Sequence, residues 1–231
     1  QPWGLVYHLL NTPGRIRFLE PLWWQLTREP VLALVAATRP EAVVCCHPLL
    51  KAPLAKALQR REGSASLITL VTDLASGHAA WFHPMEGQCL VPTEKARSDA
   101  LRCGLAQDSV VVTGLPVGSA FVRAARLSRT EARKRVGLVP DRPAVVVIAG
   151  ADGMGPFQTL LRPLLENRSA AQIVAITGRN ERLRNRLTAT AWPRPLHVTG
   201  FVENMHEWMA AADVLVTKAG PGTIAEALVV G

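Results

Sequence analysis

The sequence predicts two consecutive α/β domains, each built on a parallel β-sheet that helices cover on both faces. Short segments rich in Val, Ile and Leu alternate with helical segments through most of the 231 residues, as is typical of parallel strands buried on both faces. Hydrophobic residues make up 48% of the chain, enough for packed cores. The alternation is interrupted between Pro116 and Arg142 and then starts again. We therefore predict domains over residues 1–120 and 121–231, joined near residues 115–125 and facing a cleft.

The first predicted domain begins with a helical region rich in Leu and Trp at residues 15–40. Trp23 and Trp24 in this region suit either the core or an aromatic pair at a membrane surface, and the core is favoured. Thr93 has a side chain that can cap the helix that follows it. The predicted strands are 42–46, 66–72, 88–91 and 109–113, and the predicted helices are 49–61 and 93–103.

The second predicted domain begins with a helix at residues 128–136, where Ser128 and Glu131 have the spacing of a capping box. Gly220-Pro221-Gly222 is predicted to be a turn, because a helix does not pass through proline without a break. The predicted strands are 144–149, 172–176, 196–199 and 213–216, and the later helices are 156–166, 181–189, 205–211 and 223–230.

The chain is basic, with a formal net charge of +8, and the excess lies in its second half. Residues 1–120 hold 11 basic and 9 acidic side chains, whereas residues 121–231 hold 15 and 9. Such a surface attracts nucleic acid, anionic lipid or nucleotide phosphates. The basic runs at 123–135 and 179–186 contain no aromatic side chain that could stack on bases. We therefore expect an anionic membrane surface, and not nucleic acid, as a partner.

The apolar runs and the cysteines exclude several other classes of protein. The longest apolar run falls short of the roughly 18 residues that a membrane-spanning helix needs, and no signal peptide is visible. The cysteines form no C-x-x-C pair, so we expect reduced, buried thiols and no zinc. They are Cys45, Cys46, Cys89 and Cys103.

Four polar loops are predicted at the carboxyl ends of the second-domain strands, where parallel sheets bind ligands. In the last loop, Gly220–Thr223 lead into a helix whose free N–H groups can hold phosphate. Glu226 is expected in the first turn of that helix, within reach of a sugar hydroxyl. The glycines of residues 150–155 do not have the G-x-G-x-x-G spacing of dinucleotide sites, so NAD is not expected. The loops are 150–156, 177–180, 200–205 and 218–223.

The loop after the second strand of the first domain holds four side chains suited to polar or aromatic contacts. Each has an ordinary explanation: Asp73 as a loop cap, a histidine as a surface residue and Trp81 as part of the core. Their clustering at a strand end indicates an acceptor-side role. The four are Asp73, His78, Trp81 and His83.

Taken together, these segments resemble the monogalactosyldiacylglycerol synthase family, which includes plant galactolipid synthases and bacterial diacylglycerol glucosyltransferases. The resemblance implies a GT-B fold with two Rossmann-like domains and inverting transfer of galactose or glucose from a UDP-sugar to diacylglycerol. It also implies that no metal or other cofactor is bound, and that the protein is peripheral at the cytoplasmic face of the membrane. The matching segments are 71–74 with His78, 81–84, 114–117 with Phe121, 152–156, 178–180, 200–209 and 218–228.

The resemblance further implies roles for individual residues. Glu226 would hold the ribose hydroxyls, the helix start at residues 220–223 would hold the diphosphate, and the loop of Phe201 and Val202 would face the uracil. The remaining donor-side candidates are Asp152, Gly153, Met154, Gly155, Arg179, Asn180, Lys218, Gly220, Pro221, Gly222 and Thr223.

Two parts of the family pattern are not found in this sequence. The glycine-rich loop with the catalytic-base histidine is expected upstream of Gln1, and the Gln/Glu pair that binds the sugar is expected beyond Gly231. We therefore expect both domains to be incomplete and this piece not to turn over by itself, and we leave the catalytic base unassigned. The alternatives are a UDP-sugar 2-epimerase-like enzyme, a lipid-linked N-acetylglucosaminyltransferase and a basic nucleic-acid-binding module.

Overall fold

The computed structural model describes residues 11–60, 65–75, 77–82, 87–149, 157–167 and 169–231. The chain divides after Pro116 into two compact units. Each unit contains a four-stranded, all-parallel sheet with helices between its strands. The predicted α/β class with two parallel sheets is therefore confirmed.

The first unit starts with a long helix, α1 (Pro13–Thr38), that packs on the helix after the first strand. Pro21 and Pro30 lie inside α1, and each removes one backbone donor. Val31 and Val35 of α1 are buried in a core cluster with the next helix and keep it in place. The later elements are β1 (Ala42–Cys45), α2 (Pro48–Gln59), β2 (Ser66–Leu70), a 3-10 turn (Ala79–Phe82), β3 (Gln88–Val91), α3 (Glu94–Arg102), a second 3-10 turn (Gln107–Ser109) and β4 (Val110–Val112).

The strands of the first sheet lie in chain order, β1-β2-β3-β4. Thr93 caps α3 as predicted, since its hydroxyl accepts from the Ala96 amide at 3.2 Å. The 3-10 turn at Ala79–Phe82 follows the carboxyl end of β2 and is buried against β3 and α3. This turn carries the candidate site residue Trp81, and the loop before it carries Asp73 and His78.

The second unit begins with two short helices and then alternates strands and helices. Both hydrogen bonds of the capping box predicted at Ser128 and Glu131 are present: the Glu131 amide donates to the Ser128 hydroxyl, and the Ser128 amide donates to the Glu131 carboxylate. The elements are α4 (Ser119–Ala124), α5 (Arg129–Arg135), β5 (Ala144–Ile148), α6 (Phe157–Glu166), β6 (Gln172–Ile176), α7 (Glu181–Ala189), β7 (Leu196–Thr199), α8 (Met205–Ala211), β8 (Val214–Thr217) and α9 (Pro221–Val230).

The second sheet has the strand order β7-β6-β5-β8, so the direction of winding reverses between β5 and β8. Side chains alternate across the sheet, and each face has its own core cluster. Val147 faces α6 and α7 with Leu161 and Leu187, whereas Val146 faces α5 and α8 with Trp208. A crevice outside the carboxyl ends of the strands, where the order reverses, is where open α/β sheets bind ligands.

An ion pair between a buried arginine and an exposed aspartate fixes the opposite, amino edge of this sheet. Arg133 of α5 donates to Asp213 at 2.6 Å and to the carbonyls of Ala211 and Pro140 at 3.1 and 2.9 Å. The same Asp213 oxygen accepts from the Ala144 amide, the first residue of β5, at 2.7 Å. These bonds join α5, β5 and β8 and give the amino edge a structural role.

The predicted elements agree with the observed bounds to within two residues. The short helix α4 and the 3-10 turn at Ala79–Phe82 were not predicted, because six or four residues are too few to show a helical period. All four cysteines are free thiols, but Cys46 is exposed, against the expectation of burial. Successive side chains of an extended segment point to opposite sides, so burial of Cys45 turns its neighbour outward.

Candidate functional site

The carboxyl ends of the four strands of the second sheet are level. Ile148 of β5 pairs with both Ile176 of β6 and Thr217 of β8, and Ile176 pairs with Thr199 of β7. The loops that follow these strands therefore start at one edge of the sheet. The register brings together the loops of Arg179, Phe201 and Lys218 that the sequence singled out.

The loop after β8 ends at an uncovered helix N-terminus. Gly220 is the N-cap residue of α9 and has no side chain to cap the helix, and Pro221 occupies the first helical position. Gly222 is exposed, and no described atom lies within 4 Å of the place a Cβ would take at Gly220 or Gly222. The amides of Gly222 and Thr223 thus stand at the open, positive end of a ten-residue helix, which suits an anion.

Ala219 gives this loop a strained backbone. Its φ of 48° lies in the left-handed region, which a residue with a Cβ enters at a cost of about 1 to 2 kcal/mol. Strain of this kind is concentrated in ligand-binding loops. Here it turns the chain from β8 into α9 directly beside Lys218, which is exposed.

Glu226 lies in the second turn of α9, so the prediction of the first turn was wrong. The helix begins at Pro221 and not at Thr223, because proline is well accommodated at the first helical position. Glu226 follows Gly222 by four residues and therefore shares its face of the helix, about 6 Å further along the axis.

The carboxylate of Glu226 is half-buried, and no described residue forms a hydrogen bond or ion pair with it. Burial raises the pKa of Glu226 above its ordinary value. A desolvated carboxylate without a partner destabilises a fold. Perturbed groups of this kind are concentrated at functional sites.

Arg179 and Phe201 form a contact across the loops after β6 and β7. The guanidinium carbon of Arg179 lies 4.8 Å from the centre of the Phe201 ring, and the ring is 54% exposed. The two loops are also joined beneath this contact, where the Thr177 amide and hydroxyl both donate to the Thr199 carbonyl. The pair forms an exposed cationic and aromatic surface at the edge of the sheet.

Two other donor-side candidates have structural roles. The Asn180 side chain accepts from the Leu183 amide at 2.9 Å and so caps α7. Val202 is half-buried and packs against the core cluster of α5 and α8. Asp152, Gly153, Met154, Gly155 and the acceptor-side candidate His83 lie outside the described residues, and their roles stay predictions.

Three acceptor-side candidates are brought together in the first unit. The Trp81 indole N–H donates to Asp73 Oδ2 at 2.8 Å. His78, expected at the surface, is buried, and its Nδ1 accepts from the Ala80 amide at 3.2 Å. Trp81 is therefore a core residue, which was one of its two predicted roles, and its indole N–H also orients the Asp73 carboxylate.

Sequence reasoning missed Lys51 of α2. Its side chain is 3% exposed, and its ammonium nitrogen donates to the Trp81 carbonyl at 3.1 Å. A lysine near the start of a helix ordinarily extends into solvent, and nothing in the sequence marks this one as buried.

The amino edge of the second sheet carries a surface cavity of about 620 Å³, lined in part by Arg142, Arg194 and His197. Both arginines donate to backbone carbonyls of the segment before β6. We therefore assign this cavity a structural origin and place the candidate site at the opposite edge.

Over the described residues, no cluster of three or more His, Cys, Asp or Glu side chains is arranged to hold a metal ion. Within the same residues, no helix is both long and apolar enough to cross a membrane.

Two family models match the chain. Residues 2–117 match monogalactosyldiacylglycerol (MGDG) synthase, and residues 144–231 match the glycosyltransferase family 28 C-terminal domain. The probable chloroplastic MGDG synthase of Nicotiana tabacum is 38% identical over 202 residues, which cover 84% of this chain and 38% of the relative. Probable chloroplastic MGDG synthase 3 of Oryza sativa subsp. japonica is 36% identical over 240 residues, which cover the whole chain and 47% of the relative. The chain thus spans less than half the length of these relatives.

Solved structures share the fold at low identity. Anabaena HepE in complex with UDP-glucose has a TM-score of 0.56 and 14% identity, covering 86% of this chain and 60% of that one. S. aureus MnaA with UDP has a TM-score of 0.59 and 12% identity, covering 86% and 57%. The fold is therefore the predicted GT-B type, and the family models and relatives favour the synthase over the epimerase-like alternative. The chain belongs to the monogalactosyldiacylglycerol synthase family.

Proposed function

We propose that this chain provides the donor-binding and acceptor-side units of a hexosyltransferase that moves galactose or glucose from a UDP-sugar to diacylglycerol with inversion. The observation that carries the proposal is the open N-terminus of α9 with the unpartnered Glu226 one turn below it, at the reversal of strand order. The names of the relatives support a galactolipid product.

The donor is proposed to lie along the carboxyl edge of the second sheet. Its diphosphate would accept hydrogen bonds from the amides of Gly222 and Thr223, and its ribose hydroxyls would donate to Glu226. The spacing of about 6 Å along α9 suits a diphosphate and a ribose that bind side by side. The exposed ring of Phe201, with Arg179 on it, offers the uracil a flat surface at the same edge.

The same groups would assist the reaction. In an inverting transfer, the acceptor hydroxyl forms a bond to the anomeric carbon while the bond from that carbon to the UDP oxygen breaks. Negative charge then grows on the leaving diphosphate, where the α9 amides and helix dipole stabilise it without a metal ion or other cofactor. The proton of the acceptor hydroxyl passes to a base that stays unassigned, with Asp73 and His78 on the acceptor side.

Isothermal titration with UDP tests the donor site directly. In Gly222→Val, the new side chain would cover the α9 amides, yet no described atom lies within 4 Å of its Cβ. We expect UDP affinity to fall at least about tenfold, the loss of one charge-assisted hydrogen bond, with little change in melting temperature. Val139→Ala, at an exposed position away from this edge, is the control. Unchanged UDP affinity in Gly222→Val would overturn the proposed phosphate site.

We also propose that the protein is peripheral at the cytoplasmic face of an anionic membrane and that α1 makes the contact. Three apolar side chains of α1, at four-residue spacing, are 83%, 61% and 67% exposed, and three arginines of the same helix accompany them. Helices of this composition bind anionic lipid surfaces. The apolar residues are Phe18, Leu22 and Leu26, and the arginines are Arg15, Arg17 and Arg28.

The aromatic pair of α1 does not belong to this surface. The Trp23 indole donates to the Leu49 carbonyl at 2.7 Å, and Arg60 lies over the Trp24 ring. Both rings are half-buried against α2, in agreement with the favoured interpretation that they are core residues. The membrane contact proposed for α1 is therefore made by Phe18, Leu22 and Leu26, and not by the two tryptophans.

Liposome flotation tests the membrane contact. The chain should float with vesicles that contain phosphatidylglycerol and float less as salt is raised, because the arginines act through screened charge. Replacing the three apolar residues by serine should abolish flotation, whereas Leu228→Ser, at a residue that is also exposed, should not. Flotation that survives the triple substitution would exclude this face.

A further inference from the structure

Lys51 is buried where a lysine is energetically unfavourable. It lies in the first turn of α2, near the positive end of that helix dipole, and its side chain is 3% exposed. Within the described residues, no carboxylate pairs with it. The titratable groups that interact with it electrostatically are the thiols of Cys89 and Cys45. Burial lowers the pKa of Lys51, and these thiols raise it.

Packing alone does not account for a lysine at this position. An apolar side chain of similar length, such as methionine, would fill the same volume without the cost of burying an amine. The one hydrogen bond of the described structure that needs the lysine nitrogen is its donation to the Trp81 carbonyl at 3.1 Å. The role of Lys51 should therefore be sought in what Trp81 does.

Trp81 connects Lys51 to the acceptor-side residues. Its backbone lies in the 3-10 turn Ala79–Phe82, and its amide donates to the His78 carbonyl at 2.9 Å. Its ring is 1% exposed, and the indole N–H donates to Asp73 Oδ2 at 2.8 Å. Because the ring has no room to turn, the position of the Trp81 backbone determines where the indole N–H points.

We propose that Lys51 is a positioning residue, which holds the Trp81 backbone so that the indole N–H orients the Asp73 carboxylate at the carboxyl edge of the first sheet. Asp73 Oδ2 is engaged by the indole, which leaves Oδ1 to accept from a hydroxyl. That this hydroxyl belongs to a diacylglycerol acceptor rests on the proposed function. Lys51 itself is too buried to touch a substrate.

The test uses the indole N–H resonance of Trp81 in ¹⁵N-labelled protein, assigned with Trp81→Phe. We expect Lys51→Met to shift this resonance while the melting temperature is kept or raised, because a buried amine has been removed. Asp73→Asn should shift it as well. Lys51→Gln, whose amide can still donate to the Trp81 carbonyl, should return it toward the native position. The control is Lys56→Met, on the same helix, which loses only the ion pair with Glu20.

A titration with dioctanoylglycerol, followed at the same resonance, tests the acceptor side. We expect Lys51→Met to bind dioctanoylglycerol about tenfold more weakly than the native chain, which is the effect of one misdirected hydrogen bond. Lys56→Met should bind it as tightly as the native chain does. An indole resonance that Lys51→Met leaves unmoved would overturn the proposal. If the resonance moves but the native chain binds no dioctanoylglycerol, the acceptor assignment fails and the positioning role of Lys51 stands.

Discussion

Replacement of Glu226 is the sharpest test of the donor site, because the carboxylate is half-buried and has no partner among the described residues. If ribose hydroxyls donate to it, Glu226→Ala removes hydrogen bonds to a charged group, about 1.5 to 3 kcal/mol. We therefore expect UDP to bind about 10- to 150-fold more weakly. Glu226→Gln keeps a neutral acceptor and should lose less.

The same substitutions should stabilise the ligand-free protein. Burial raises the pKa of Glu226, so the buried charge destabilises the folded protein. This destabilisation is absent below the ordinary glutamate pKa and grows as the pH rises through the raised pKa. Glu226→Gln should therefore melt at a higher temperature than the native chain at pH 7, and the two should converge in acid. Native UDP affinity should fall as the pH drops through the same window, and the affinity of Glu226→Gln should not.

Isothermal titration with UDP and thermal unfolding at several pH values measure both effects. Glu166→Gln is the matched control, because Glu166 is the last residue of α6, at the amino edge of the sheet. The Glu166 carboxylate is exposed and lies 3.8 Å from the Arg162 guanidinium. The reasoning is refuted if Glu226→Ala binds UDP within twofold of the native chain. A loss of stability in Glu226→Gln would show that the carboxylate has a structural partner.

Two further predictions concern stability and thiol reactivity. Arg133→Met should lower the unfolding free energy by about 2 to 3 kcal/mol, since it removes a buried arginine that donates to two backbone carbonyls and to the exposed Asp213 carboxylate. Denaturant unfolding measures this change. UDP affinity should stay unchanged, because the pair lies at the amino edge of the sheet. A thiol reagent should modify Cys46 first in the native protein, because it is exposed. Burial raises the pKa of the Cys45 and Cys89 thiols, so both should react only when the protein unfolds. Mass spectrometry of samples taken at successive times measures the order of modification. Modification of Cys45 or Cys89 together with Cys46 would contradict the prediction.

The hydrogen bonds of the two units show which contacts can be predicted from the sequence and which cannot. The helix cap at Thr93 and the capping box at Ser128 were predictable because both partners of each hydrogen bond lie within three residues of each other. Lys51 and Trp81 are 30 residues apart, and Arg133 and Asp213 are 80 apart. No local pattern links such pairs, so a sequence shows only two ordinary residues where the fold makes a bond.

Local periodicity was sufficient to determine the strands, most of the helices and their chain order, because a segment that buries one or both faces must repeat its apolar residues at the period of its own geometry. It also determined that Lys218, Gly222 and Glu226 lie close together after a strand. Only the tertiary structure decided that β8 pairs with β5, which places the start of α9 at the reversal of strand order. It alone decided that Glu226 is half-buried and Lys51 buried, because the burial of a polar group depends on which distant segments pack around it.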